Sequence, residues 1–339
     1  MIKKSLIAFS LLLTLVLTYG LNQLRLAHVD IDSITPELPT LDAVRESGRF
    51  FGLPAHIAYF NTATQKVPRA SLLDEAYDPL PLVHGEEFRG EAVSGEDDNE
   101  IPNDKTMVNM SFPVFVATWE DGRQFVIDAG LSVTEAIEFG RRSELAGSMP
   151  LEFHGLAADQ LDLDKVKGIG LTHLHSDHTT GISAFCDAGA DFALVQSMEQ
   201  FSWHDYLTSD SATLINELTC GVQLILDDGL LLKGVRGFPG LYIVHVGGHT
   251  LGSQLFVLHI NQGSSIGTYI IAGDMANHFD GINYNVSKPP VYSRWLVPEN
   301  LDQLYKVRSW LKQMNQDTNI TVLLSHDKAH LIESGLPEL

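Results

Sequence analysis

Three shortages narrow the reading before any motif is sought. The chain has only two cysteines in 339 residues. Two are too few for a disulfide framework, and Cys186 and Cys220 lack the Cys-x-x-Cys spacing of a zinc knuckle or redox pair. Whether they stay free or form one bond is left open by sequence. Basic residues are also scarce, with 22 Lys and Arg against 43 Asp and Glu and a formal charge of −21. Such a surface repels polyanions, which argues against a nucleic-acid partner and favours a small neutral or cationic substrate. No internal repeat is visible. With 44% hydrophobic residues the chain can bury a large core, as one large domain or two modest ones.

The N-terminus is set apart from the rest. Lys3 and Lys4 precede an apolar run from Leu6 to Leu17, broken only by Ser10 and Thr14. Residues 1–20 therefore read as a signal peptide or, because Thr18-Tyr19-Gly20 is a poor cleavage site and the run approaches the lower limit of roughly 17 residues for a span, as an N-terminal membrane anchor. No cysteine ends this segment, which excludes a lipoprotein anchor. The protein is expected to be exported, periplasmic or extracellular. Any membrane contact is expected only through this segment. Residues 21–105 read as an N-terminal extension packing on the core. It has one strand over Ala55 to Phe60 and an acidic, Gly-rich loop from His84 to Asp104. Residues 106–339 read as the main domain.

Within that domain, Phe112 to Trp119 and Gln124 to Ile127 form a predicted hairpin about Asp121-Gly122, and an amphipathic helix covers Val133 to Leu145. A buried strand through Val166, Ile169 and Leu171 leads into Thr172-His173-Leu174-His175-Ser176-Asp177-His178-Thr179-Thr180-Gly181. Helices are predicted from Ile182 to Cys186 and Met198 to Leu207. Strands are predicted over Phe192 to Val195, Val222 to Leu226, Leu230 to Lys233, Leu241 to Val246, Gln254 to Leu258, Thr268 to Ala272 and Ile320 to Leu324. Asn300 caps a last helix, with Gln303 completing a capping-box pattern.

The chemistry lies in the first cluster. His173 and His175 are two apart, so on an extended segment their rings leave the same side. A turn at Ser176 brings Asp177 and His178 beneath them, an arrangement suited to two adjacent metal ions. Three later apolar runs also end on a potential ligand, at His249, Asp274 and His326, and strand ends on one side of a sheet are where sites collect. Imidazoles and carboxylates without thiolates make two divalent ions the expected cofactors, zinc first, with iron, manganese or cobalt also compatible. His204, His245 and His259 fall outside this pattern and read as structural.

These residues resemble the metallo-β-lactamase superfamily of hydrolases over roughly Met107 to His330. Its His-x-His-x-Asp-His motif matches His173, His175, Asp177 and His178. Its later His, Asp and His match His249, Asp274 and His326, and its early Asp matches Asp128. The resemblance implies an α/β fold, an αββα sandwich of two mixed sheets flanked by helices. It further implies that His173, His175 and His249 hold one ion and Asp177, His178 and His326 the other, with Asp274 bridging and Asp128 orienting ligands. A water activated between two such ions needs no Ser or Cys nucleophile, and Asp177 can carry a proton to the leaving group.

Among the branches, Gly248-His249-Thr250-Leu251-Gly252-Ser253, Val195-Gln196 and Ser325-His326-Asp327 resemble the N-acyl-homoserine-lactone lactonases, which implies lactone or ester hydrolysis. Those enzymes carry a Tyr three residues after the bridging Asp. Here Asn277 stands there as the candidate carbonyl donor, with Tyr284 as a possible substitute. The alternatives are a phosphodiesterase or glyoxalase II-like thioesterase, and a non-catalytic metal-binding protein of the same fold.

Overall fold

The computed structural model describes residues 37–49, 51–74, 107–263 and 265–339. Two mixed sheets stack face to face. The first runs β4-β1-β2-β3-β5-β6-β7, with β1 His56–Pro68, β2 Met107–Thr118, β3 Gln124–Ile127, β4 Glu152–Phe153, β5 Val166–Gly170, β6 Ala193–Ser197 and β7 Val222–Leu226. The second runs β12-β11-β10-β9-β8, with β8 Lys233–Gly234, β9 Leu241–His245, β10 Gln254–Asn261, β11 Ile266–Ile271 and β12 Ile320–Leu323. In the first sheet β3, β5, β6 and β7 pair in parallel, whereas β1, β2 and β4 pair antiparallel. In the second only β11 and β12 are parallel.

Alternation along the strands produces three apolar layers. Phe115, Phe125 and Ile127 from the first sheet meet Ile243, Phe256, Leu258 and Ile271 from the second between the sheets. Val126, Ile169 and Leu194 face outward under Ile182, Phe185, Ala212 and Ile215. On the opposite outer face Val244, Val257, Ile270 and Val322 lie under Leu304, Val307, Leu311 and Met314 of the helix Leu301–Asn315. Helices on both outer faces complete the αββα sandwich expected from sequence.

Several expectations shift in detail. The segment set apart as an extension supplies β1, the longest strand of the first sheet, and a short helix, Leu41–Ser47, whose Val44 joins the outer layer of the second sheet. The strand predicted to stop at Phe60 runs on to Pro68 through a register shift between Asn61 and Thr64. There the buried Asn61 Oδ1 accepts from Phe112 N–H at 2.7 Å, and Thr62 Oγ1 donates to Phe112 O at 2.9 Å, so side chains replace part of the ladder. The helix predicted over Met198 to Leu207 ends at Ser202. Trp203 turns extended and lies edge-on to His245, and Asp205 starts a new turn by accepting from Leu207 and Thr208 N–H. That turn leads to an unforeseen helix, Ser209–Asn216.

The Leu230 to Lys233 strand shrinks to Lys233–Gly234, with Leu230 and Leu231 exposed beyond an Asp228 turn. Asn300 does cap its helix by accepting from Gln303 N–H at 3.0 Å. The Gln303 amide, however, donates to Val246 O instead of returning to the cap, so the capping box is only half formed. Cys186 and Cys220 are disulfide-bonded. Among the described residues no helix is long and apolar enough to cross a membrane. The proposed signal or anchor, residues 1–20, and the acidic loop lie outside the described residues.

Candidate metal centre

Five strands deliver the candidate residues to one edge of the sandwich. Just past β3 comes Asp128, a non-glycine residue at φ 64°. This left-handed backbone is one that Asp tolerates better than most residues, and it turns the carboxylate back under the cluster. There Oδ1 accepts from Thr172 N–H at 2.7 Å and Oδ2 from His178 Nδ1 at 2.8 Å. The loop after β5 carries His173 and His175, and a one-turn helix, Ser176–Thr179, carries Asp177 and His178. Beyond β9, β11 and β12 lie His249, Asp274 and His326.

Two glycines make this close approach possible. A Cβ on Gly181 would collide with the Ala129 carbonyl. At Gly273, φ is 53° and a Cβ would strike the Thr172 side chain, so the backbone presenting Asp274 requires glycine. The loop itself is held from below by buried glutamines. Gln200 and Gln254 amides both donate to Leu171 O, at 2.8 and 2.9 Å, which gives a structural reason for the polar residues that follow Val195.

All seven candidate ligands come together, and they fall into overlapping groups: His173, His175 and His249; His173, His178 and Asp274; Asp177, His178 and His326. His173 Nε2, His175 Nδ1 and His249 Nε2 lie 3.0 to 3.2 Å from one another. Asp274 reaches both sides, with Oδ1 3.3 Å from His178 Nε2 and Oδ2 3.0 Å from His326 Nε2 and 3.6 Å from His249 Nε2.

Outward hydrogen bonds fix several rings. The Nδ1 of His178 faces Asp128, that of His326 faces Ser111 O at 2.8 Å, and that of His249 faces Glu299 Oε1 at 2.6 Å. Those outward bonds aim the three Nε2 atoms inward at Asp274 and, for His326, also at Asp177, where a cation would be held between imidazole and carboxylate. His178 Nε2 and Asp274 Oδ1 are buried without a hydrogen-bond partner, as a coordination site would leave them. The donor set therefore fits divalent metal ions.

The electrostatics divide the cluster. Burial, reinforced by neighbouring imidazoles, holds His173 and His175 well below the ordinary histidine range, and burial with the Lys288 ammonium lowers His249. Burial works against charge on His178 and His326 too. Around these two, however, carboxylates outweigh it: Asp128, Asp177 and Asp274 raise His178, and Asp274 with Asp177 lifts His326 to about 9. Against the cost of burial, the same imidazoles lower Asp177 to about 2 and Asp274 well below the usual carboxylate range.

Asn277 is buried beside the cluster. Tyr284 is 52% exposed at the end of the helix Asp280–Asn283, so it does not substitute for the absent tyrosine. The phenol that meets Asn277 is Tyr292, whose pKa burial and the carboxylates of Asp274, Glu299 and Asp177 push well above the tyrosine range. Tyr292, Lys288 and Glu299 were not foreseen from sequence. They stand between Val286 and Asn300, where the sequence has no periodic or motif signal and Tyr292 opens a short π-helical turn, Tyr292–Leu296. His245, His259 and His204 engage backbone or hydroxyl partners away from the cluster, as expected of structural residues.

This fold and donor set define a class, that of metal-dependent hydrolases built on two stacked sheets. The family model of the metallo-beta-lactamase superfamily matches residues 108–326, and the chain belongs to that superfamily. Similar solved structures include an N-acyl homoserine lactone hydrolase with the product N-hexanoyl-L-homoserine bound at its catalytic metal center. It has a TM-score of 0.56 and 12% identity, over 85% of this chain and 98% of that one. A mutant of the B. thuringiensis protein AiiA, with N-decanoyl-L-homoserine bound at the active site, matches with the same score, identity and coverage. A probable metal-dependent hydrolase from Staphylococcus aureus matches with a TM-score of 0.50 and 16% identity over 82% of this chain and 91% of that one. At these identities the likeness is one of fold. No curated protein matches the chain.

Proposed function

We propose that the protein is a dinuclear hydrolase that opens small neutral lactones or related esters. The observation that carries this reading is Asp274, whose carboxylate lies between the two groups of imidazoles, with Oδ2 3.6 Å from His249 Nε2 and 3.0 Å from His326 Nε2 and Oδ1 3.3 Å from His178 Nε2. His173, His175 and His249 would hold one divalent ion, zinc being the expected metal, and Asp177, His178 and His326 the second. Such ions supply Lewis acidity and a nucleophile at neutral pH. The chain's own residues do the rest. Asn277 and the Tyr292 phenol, protonated at neutral pH, offer donors to a substrate oxygen, and Asp177 is placed to pass a proton to the leaving group.

The acidic surface disfavours polyanionic substrates. The similar N-acyl homoserine lactone hydrolase, with its product N-hexanoyl-L-homoserine bound, agrees with this substrate class. We further propose export from the cytoplasm, which the Lys3-Lys4 segment and the Cys186–Cys220 disulfide support.

The test is a panel of acyl-homoserine lactones, aliphatic lactones, aryl esters, a phosphodiester and a cephalosporin, run on metal-replete and chelated protein. Lactone or ester turnover that chelator abolishes and added metal restores is the expected result. Turnover of the phosphodiester alone would overturn the reading, and elemental analysis should give about two ions per chain.

A further inference from the structure

Behind His249 lies a buried ion pair that the proposed reaction does not by itself require. Glu299 Oε1 is 2.6 Å from His249 Nδ1 and also accepts from Lys288 Nζ at 2.7 Å. The ammonium lies 3.0 Å from His249 Nδ1 and 5.2 Å from the centre of the Tyr292 ring. The side chains of Lys288 and Glu299 are 1% and 0% exposed. Arg308, also buried, adds a second positive charge facing Glu299, while its own guanidinium donates to Asn285 and Ser287. Taking such charges out of water is costly, and an apolar pair of similar size would fill the space more cheaply.

The other group of ligands is backed differently. His178 donates to the Asp128 carboxylate, whose other hydrogen bonds among the described residues come from Thr172, a neutral donor. One carboxylate is therefore neutralised by a buried cation and the other is not. A carboxylate accepting from an imidazole raises the basicity of the opposite nitrogen, and a cation on that carboxylate withdraws part of the effect. It also repels any second cation nearby, in a setting where water screens little.

We infer that Lys288 is a positioning residue that makes the two ion positions unequal, so that the ion on the His249 side is the weaker and more exchangeable. Glu299 sets the His249 tautomer, and Lys288 moderates the strength of that ligand. This inference rests on the dinuclear reading, so the experiment separates the two. Full-length protein is stripped and titrated with Zn2+ against a chromophoric chelator, which resolves the stoichiometry and the affinity of each step without reference to turnover.

Wild type should bind two ions in steps at least tenfold apart. Glu299→Gln should weaken only the weaker step, by about 10–100-fold. Lys288→Met should tighten that step by at least tenfold and narrow the gap. Because Lys288→Met strips a partner from a buried carboxylate and can unfold the chain, the neutral pair Lys288→Met/Glu299→Gln provides the second measurement. If it folds, its tighter step should match wild type and its weaker step should stay below that of Lys288→Met. Two equal steps in wild type, or a Lys288→Met or double variant that alters both steps alike, would overturn the inference while leaving the dinuclear reading intact. A total of one ion or none would overturn the dinuclear reading instead.

Discussion

Asp128 offers the sharpest perturbation because its backbone, its charge and its hydrogen bonds each make a separate demand. It is fully buried at φ 64° and anchors Thr172 N–H and His178 Nδ1. Asp128→Ala would leave both donors unsatisfied, at about 1–3 kcal/mol each, and would keep the left-handed backbone while losing the polar side chain that makes it tolerable. The two donors together, about 2–6 kcal/mol, are a large part of the stability of about 5–15 kcal/mol of a typical domain.

Asp128→Asn is more informative. It tolerates the backbone, but its amide must face either Thr172 N–H or His178 Nδ1 with an NH2 group. If the NH2 faces His178, the imidazole proton moves to Nε2, the nitrogen 3.3 Å from Asp274 Oδ1 that the metal needs bare. If it faces Thr172, two donors confront each other. Either way the ion on the His178 side should bind about 10–100-fold more weakly, or about 1.4–2.7 kcal/mol. Chelator competition reads the affinity, and thermal melting of the stripped protein reads the fold. An Asp128→Asn protein that folds and binds both ions within twofold of wild type would refute this reasoning, as would an alanine variant more stable than the asparagine one.

Three further outcomes are expected. His259 is fully buried between the Ser47 and Thr268 hydroxyls, and burial lowers its pKa to about 4. The unfolded chain, with an ordinary histidine near 6.5, therefore takes up the proton first. The His259 contribution is complete above pH 6.5 and is lost as pH falls toward 4. Urea melts of stripped protein at pH 7 and 4.5 should show wild type losing about 2–3 kcal/mol more than His259→Gln, and equal losses would count against it. Breaking the Cys186–Cys220 bond, which closes a separation of 34 residues, should cost about 4 kcal/mol on a chain-entropy basis, read as a fall in melting temperature on reduction that a Cys186→Ala/Cys220→Ala protein does not show. Gly181→Ala should displace the Ala129 carbonyl and with it Asp128 and His178, lowering metal uptake as well as stability; unchanged uptake would show that the loop can yield.

What sequence alone could reveal follows from how local each determinant is. The His173 to His178 cluster and its later partners announce themselves because each sits one to three residues past a run of apolar residues, and a strand end is a local pattern. The helix Val133–Leu145 is legible for the same reason, and Ser132 accepts from Glu135 N–H at its start. The second half of β1 is not legible because Asn61, Thr62 and Gln65 are polar yet buried, hydrogen-bonded to Phe112, Ser143 and Met149 far along the chain. Lys288, Tyr292 and Glu299 were missed more completely. A lysine, a tyrosine and a glutamate outside any motif give the sequence nothing to single out, and only the fold brings them against His249 and Asn277.

The residues invisible to sequence are thus the ones that would distinguish this centre from others with the same ligands. A ligand must lie at a fixed distance from an ion, which confines it to a strand end and so to a recurring spacing. A group acting through a ligand need only touch that ligand's far side, and any segment that crosses behind can supply it. The stretch from Lys288 to Glu299 crosses behind His249 and supplies both the carboxylate that orients the ring and the ammonium that weakens the carboxylate. It also carries the Tyr292 phenol facing the same cluster. Differences in substrate and in metal exchange between this chain and its neighbours in fold should therefore trace to substitutions in that stretch more than to the ligands themselves.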